Sequence, residues 1–376
     1  MAVRAVPTDP LTQDADQLVA ALASARERTL ALVAPLDDEQ LEKVHSPIMS
    51  PLVWDLAHIA AYEDLWIGHR LGGRELLRAD LAAVYDAFET PREVRGEVEL
   101  LGPAAAREYL ADVRSGTRRT LAENGSGDGE IVEMVLRHEL QHTETMRQTM
   151  AIAGLLAPGE CPPRAAAEPG WISIPAGEAL IGAPADGFAY DNERSRHRVE
   201  LPAFRIARVP VTNASWMRFS EGGGYERREW WSDEGWAWKE EYDIGHHPAV
   251  AAGDPEAPVC HVSWFEADAF ARAHEARLPS EQEWERAATS EQPADRIGGV
   301  GAVWEWTSSH FLPYPGFRAH PYREYSEVFF GEDYRVLRGG SWATHPRVAT
   351  ATFRNWDLPE RRQIFAGLRL AREAAS

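Results

Sequence analysis

The sequence predicts a two-domain α+β protein, an antiparallel four-helix bundle followed by a compact mixed domain. Three observations predict it. Apolar residues recur at spacings of three and four through most of the first 156 residues. The stretch 157–170 (APGECPPRAAAEPG) is rich in Pro, Ala and Gly and has the composition of a linker. Of the 14 tryptophans only Trp54 and Trp66 precede residue 170, while the other twelve fall within Trp171–Trp356. A change that abrupt marks a change of fold, with boundaries at 1–156, 157–170 and 171–376.

The helices follow in order. Residues 14–34 carry an Ala- and Leu-rich periodic run that Pro35 stops. Ser50-Pro51 offers a capping hydroxyl and a first-turn proline for a second helix, which runs to about Arg70 before Gly72-Gly73. A third spans about Pro103–Ala122 and ends in the loop Asn124–Gly129; the fourth runs from Glu130 to about Ala153. Polar connections between four long helices suit an antiparallel bundle. Beyond the linker, short β-like pieces (Trp171–Ile174, Arg198–Ala203, Tyr334–Arg338) alternate with Gly, Pro, Asn and Asp clusters. Helices are expected at Trp264–Ala276 and Ser280–Ala288, and the many aromatics should hold long irregular connections together. No internal repeat is present.

Composition excludes several classes. With 59 acidic and 39 basic residues the formal net charge is −20, which repels nucleic-acid backbones and anionic membrane surfaces. Two cysteines, Cys161 and Cys260, are too few for a disulfide scaffold or a thiolate zinc cage. No apolar run approaches membrane-spanning length and the N-terminus lacks the apolar core of a signal peptide, so a cytoplasmic address is expected.

The chemistry concentrates in histidines. His138 and His142, in Arg137-His-Glu-Leu-Gln-His-Thr-Glu144, are four residues apart and share a helical face with Ile131, Met134 and Val135. Two inward imidazoles one turn apart form half of a transition-metal site. His58 supplies a third, on a helix face shared with Trp54, Ala61, Tyr62 and Leu65. Three neutral imidazoles with open positions suit Fe(II), Zn(II) or Cu. Against this, a histidine pair at this spacing is also a common surface or core feature. His138-Glu139-Leu140-Gln141-His142 additionally matches the H-E-x-x-H pattern of zinc peptidases, with Glu139 as base. No histidine follows within 145–170, and Glu160, the one downstream acid at suitable distance, sits in the linker.

At this point the residues resemble a family. Ser50-Pro-Leu-Val-Trp-Asp-Leu-Ala-His58 and His138-Glu-Leu-Gln-His-Thr-Glu-Thr-Met146 resemble the DinB-like domain of the ergothioneine-biosynthesis sulfoxide synthases. Pro210-Val-Thr-Asn213, Val262-Ser-Trp264, Arg277–Glu285 (RLPSEQEWE), Val303-Trp-Glu-Trp306 and Arg338-Gly-Gly-Ser-Trp342 resemble the formylglycine-generating-enzyme (sulfatase-modifying-factor) domain, a C-type-lectin-like fold. The module order is that of the sulfoxide synthases, and the likeness covers nearly the whole chain from about residue 15.

The resemblance implies an oxidoreductase that uses Fe(II) and O2 to join a thiol to the imidazole of hercynine, the Nα-trimethylated histidine, and to oxidise the sulfur. By motif, His58, His138 and His142 would bind iron and Gln141 the substrate imidazole. In Arg354-Asn-Trp-Asp-Leu-Pro-Glu-Arg361, Asn355 and Trp356 would take the trimethylammonium end, a cation suited to an aromatic face. Asp357 and Arg361, with Arg92 and Arg95 from Phe88-Glu-Thr-Pro-Arg-Glu-Val-Arg95, would bind γ-glutamylcysteine, whose carboxylates call for guanidinium forks. Tyr322, in Pro321-Tyr-Arg-Glu-Tyr325-Ser326, would be the active-site phenol, with Tyr325 as the lesser alternative.

Two departures from the family stand out: Thr143 replaces a frequent Asp, and Thr289–Val303 is shorter than usual. A selenoneine synthase would keep the histidines and lose the carboxylate-binding arginines; a cysteine-using branch is the next alternative. A formylglycine-generating enzyme would need cysteines after Gly-Gly-Ser341, and none occurs before Arg354. A lectin-like binding module would have no use for three inward histidines.

Overall fold

The computed structural model describes residues 15–247 and 253–374. The expected start of the first helix at Asp14 lies outside the described residues. The chain divides between Pro158 and Gly159 into two compact units, with Asp186–Phe188 grouped with the first. That division falls inside the expected linker. Among the described residues no helix is long and apolar enough to cross a membrane.

The N-terminal unit is helical: α1 (Ala15–Val33), α2 (Asp38–Glu42), α3 (Leu52–Glu63), α4 (Pro103–Asn124) and α5 (Glu130–Ala153). α3 packs on α4 and α5, and α1 on α5. Ten of the twelve residues of α3 are buried, polar Asp55, His58 and Glu63 among them, which makes it the central helix with almost no face for water. Its start differs from the expected cap. Pro51 is itself the N-cap residue with no side-chain hydrogen bond, and the Ser50 hydroxyl instead accepts from Arg95 Nη1 at 2.7 Å. Beyond Glu63 the chain stays helical but widens into π-type turns over Asp64–Leu71, closed by Gly72 N–H donating to Ile67 O at 3.0 Å. Gly154, at φ 69°, ends α5 in the left-handed conformation that favours glycine.

One residue from each of four helices meets in a buried ionic quartet. Arg26 (α1) donates to Glu63 (α3) and Glu139 (α5) at 2.8 Å each, and Arg114 (α4) donates to the same two acids at 2.7 and 2.9 Å. Both acids are at most 1% exposed, so the pairing must offset a large desolvation cost and ties the helices in one register.

The C-terminal unit mixes short strands and helices. β1 (Trp171–Ile174), β4 (Phe204–Ala207) and β9 (Ala371–Glu373) form one antiparallel sheet in the order β1-β4-β9; β2 (Gly177–Ile181) pairs with β3 (His197–Leu201). β5 (Trp304–His310), β6 (Arg335–Arg338), β7 (Asn355–Asp357) and β8 (Ala366–Leu368) form a third, ordered β7-β6-β5-β8, with β5 and β8 parallel. The strand expected over Arg198–Ala203 is β3, which runs His197–Leu201 and stops before Pro202, a residue with no N–H for a ladder; β4, in a different sheet, begins only at Phe204. α6 (Asn213–Glu221) and α7 (Asp233–Glu241) precede α8 (Trp264–Ala273) and α9 (Glu281–Ala288); the last two open on the capping boxes of Ser263 and Ser280. Tryptophans act as tethers: buried Trp284 donates to Glu305 and buried Trp306 to the Val262 carbonyl, both at 2.7 Å.

Candidate metal centre

The three expected histidines come together. His58 projects from α3 and His138 and His142 from α5, and one nitrogen of each lies within 4.8 Å of the others. Their ring centroids are 4.9, 4.7 and 4.5 Å apart, a nearly equilateral arrangement. His58 Nε2 and His138 Nε2 stand 3.1 Å apart. Two nitrogens each about 2.1 Å from one ion and at right angles would be about 3 Å apart, so the spacing fits a shared ion.

Protonation fits as well. Burial, then the neighbouring His142, holds His58 well below the ordinary histidine range; burial, then His142 and His58, does the same for His138. Both are therefore neutral imidazoles. The outer nitrogen of His58, Nδ1, lies 2.7 Å from the Tyr85 carbonyl, which can only accept, so the proton sits on Nδ1 and Nε2 presents a lone pair. His142 Nδ1 lies 3.0 Å from Asp55 Oδ1, so this nitrogen too is held by an oxygen. Imidazoles oriented this way could hold a metal ion.

Aromatic packing fixes the rings. Trp54 stacks on His58 (4.6 Å, 14°) and Tyr62 on His138 (3.7 Å, 11°). Trp54 is held by its Nε1–H on the Val84 carbonyl at 3.0 Å and by the Arg95 guanidinium 3.5 Å over its ring. Val84 and Arg95 therefore support the candidate metal site through Trp54, and Tyr85 supports it through His58. Asp55, Tyr85 and Tyr62 have roles that the motifs did not point to. Asp55 had a readable signal, an acid in the run Leu52–Ala60 whose one other polar residue is His58, and such an acid demands a partner.

The peptidase expectation is overturned by Glu139. Its carboxylate is 1% exposed and bound by Arg26, Arg114 and the Thr29 hydroxyl in the ionic quartet, so it cannot act as a base on a metal-bound water. Thr143, the departure from the family, donates to the Leu140 carbonyl of its own helix at 2.7 Å; the acid beside His142 comes from Asp55 instead. Gln141 lies between the two α5 histidines and is half-buried.

Arg92 is exposed on a short 3-10 turn, Arg92–Val94. Arg95 is 5% exposed and places three N–H groups on Thr90 O, Ser50 Oγ and Ala87 O. Among the described residues these bonds use three of its five N–H groups, and burial lowers its pKa to about 10.

In the C-terminal unit the other expected residues also converge. Asn355, Trp356 and Asp357 are β7, beside Arg335–Leu337 of β6. Trp356 stacks on Phe311 (4.3 Å, 9°) and meets Tyr325 edge-on at 5.9 Å, and Tyr325 meets Tyr322 at 6.2 Å. Arg361 Nε is 3.9 Å from Asp357 Oδ1, and Gln363 donates to Asp357 Oδ2 at 3.2 Å.

Residues 21–146 match the DinB superfamily, and residues 158–298 and 297–374 match the sulfatase-modifying factor enzyme 1-like domain. The chain is 41% identical to hercynine oxygenase of Mycobacterium tuberculosis, across 95% of this chain and 98% of that protein. The chain belongs to the hercynine oxygenase family. Hercynine oxygenase of Mycolicibacterium smegmatis is 40% identical across 93% of this chain and 97% of its own. A narrower likeness, 32% identity over 38% of this chain, links it to the formylglycine-generating enzyme of Streptomyces coelicolor. As a member of the hercynine oxygenase family the protein is an enzyme, not a lectin-like binding module. The family match of the second domain divides at 297–298, within the segment expected to be short.

Proposed function

We propose that the protein is a nonheme iron(II), O2-dependent sulfoxide synthase that joins hercynine to γ-glutamylcysteine in ergothioneine biosynthesis. The observation that carries this is the histidine triad, two of whose imidazoles are held through Nδ1 by the Tyr85 carbonyl and the Asp55 carboxylate. Identity of 40–41% to hercynine oxygenases over 93–95% of this chain supports hercynine as the substrate class. In this reading the helical unit is a DinB-type four-helix bundle and the C-terminal unit a C-type-lectin-like variant.

The overall conversion balances as hercynine C2–H plus thiol S–H plus O2 giving the C2–S(=O) sulfoxide and water. One C–S and one S–O bond form, and carbon and sulfur together give up four electrons. Iron(II), when bound to His58, His138 and His142, supplies the activation of dioxygen that a closed-shell protein cannot. The chain's own residues orient and protonate. Gln141 would hydrogen-bond the hercynine imidazole. Trp356, held by Phe311, would offer its ring to the trimethylammonium group, which has no N–H to donate, with Asn355 beside it. Arg361, Arg92 and Arg95 would bind the carboxylates of γ-glutamylcysteine, and Asp357 its ammonium. Tyr322 would hold the proton delivered to reduced oxygen.

The test is a product assay. Protein loaded anaerobically with Fe(II) receives hercynine, O2 and either γ-glutamylcysteine, cysteine or a selenosugar, with products read by mass spectrometry. A sulfoxide conjugate of γ-glutamylcysteine is expected. Conjugation with cysteine or the selenosugar alone would overturn the donor assignment and leave the metal site standing.

A further inference from the structure

Four consecutive residues, Tyr190–Glu193, form a turn on which two distant segments hang. All four are buried, at 4, 3, 1 and 1% exposure. Toward residues 320–326, Asp191 Oδ1 accepts from Ser326 Oγ at 2.5 Å and Oδ2 from the His320 backbone N–H at 3.3 Å. The Tyr190 ring lies flat on Tyr325 (4.3 Å, 9°). Toward residues 352–354, the Asn192 carbonyl accepts from Arg354 Nη1 at 2.8 Å, and Glu193 Oε2 from Thr352 Oγ1 at 2.6 Å. Phe353 meets Tyr190 edge-on at 5.7 Å.

The turn thus fixes the segment carrying Tyr322 against the segment that runs directly into Asn355, Trp356 and Asp357. These are the residues to which the proposed function gives proton delivery and substrate binding. Asp191 is the key to the first connection, because it grips the tyrosine segment at two points six residues apart, a backbone N–H and a hydroxyl. Alanine there would remove the acceptor from both donors and leave the fully buried Ser326 hydroxyl without its carboxylate, which loosens the segment at its base. Asparagine would preserve both bonds, accepting from His320 N–H and donating to a reoriented Ser326 hydroxyl.

We infer that Asp191 is a positioning residue that sets Tyr322 against Trp356 and thereby controls whether oxygen goes to the coupled sulfoxide or to the thiol alone. The diverted reaction is RSH + O2 giving the sulfinic acid RSO2H, in which sulfur alone gives up the four electrons. A proton donor displaced by a fraction of an ångström slows coupling without preventing oxidation of the bound thiol. The role of Tyr322 on which this rests is that of the proposed function.

The experiment compares iron-loaded wild type, Asp191→Ala, Asp191→Asn, Ser326→Ala and Tyr322→Phe, each with hercynine, γ-glutamylcysteine and O2. The ratio of sulfoxide to sulfinate is read by mass spectrometry, and amide hydrogen exchange of peptides covering 316–330 is measured alongside. Asp191→Ala should lower the ratio on the order of tenfold and speed exchange in that segment. Ser326→Ala should shift both in the same direction by less, and Asp191→Asn should restore most of the wild-type ratio. A wild-type ratio in Asp191→Ala, or equal impairment in the alanine and asparagine variants, would overturn the assignment. Should Asp191→Ala not fold, an unchanged ratio in Ser326→Ala would overturn it. Wild type that makes no sulfoxide would sink the proposed function and the partition role with it, while the exchange data would still decide whether Asp191 holds the segment.

Discussion

Asp55→Ala should weaken iron binding while leaving the three ligands in place. Asp55 is 1% exposed, its Oδ1 lies 3.0 Å from His142 Nδ1, and its Oδ2 has no hydrogen-bond partner among the described residues. Its main polar task is therefore to hold His142. Losing the carboxyl releases two constraints. The tautomer constraint is small, since two equally populated tautomers cost RT ln 2, about 0.4 kcal/mol, or roughly twofold in affinity. Ring orientation and ligand basicity matter more, and removal of such a supporting group typically weakens metal binding by about 10–100-fold, or about 1.4–2.7 kcal/mol. Asp55→Asn keeps an acceptor oxygen for His142 and should lose less. Anaerobic Fe(II) titration in competition with a coloured chelator measures both variants. An Asp55→Ala dissociation constant within about twofold of wild type would show that orientation by Asp55 contributes nothing beyond the tautomer, and the reasoning would fail.

Two further outcomes follow from the geometry. Glu139→Ala leaves Arg26 and Arg114 facing Glu63 alone in a buried site, so the helical unit should lose about 3–5 kcal/mol of stability, read by chemical denaturation with a probe in that unit; a loss of activity with unchanged stability would restore Glu139 as a catalytic base. If Arg92 binds the donor carboxylates as proposed, Arg92→Ala should raise KM for γ-glutamylcysteine with little change in that for hercynine; an equal rise for both substrates would refute that division.

Much of the helical unit was legible because its signals are local. Proline and glycine punctuation marked where α4 and α5 begin and end, and the spacing of His138 and His142 put both on one face. The support around the three histidines was not legible, because its partners are remote in sequence. Asp55 is 87 residues from His142, and Arg26 is 113 from Glu139. Ser50 shows the limit of a local rule: a cap-like serine before a proline was drawn instead into a bond with Arg95, 45 residues on. In the C-terminal unit, three-residue strands such as β7 and β8 are too short to display a period of two, and buried ion pairs such as Arg369 with Glu305 fix their surroundings. The motif residues there were visible one by one; their gathering around Tyr325 and Trp356 required the fold.

The central claim is that His58, His138 and His142 hold the iron on which the coupling depends. Its most direct measurement is anaerobic Fe(II) binding to wild type and His138→Ala, followed by addition of hercynine, γ-glutamylcysteine and O2 to the same samples. One tightly bound iron per chain and sulfoxide product in wild type, with both lost in a folded His138→Ala protein, is the predicted result. Retained iron and undiminished sulfoxide in His138→Ala would place the chemistry elsewhere in the molecule.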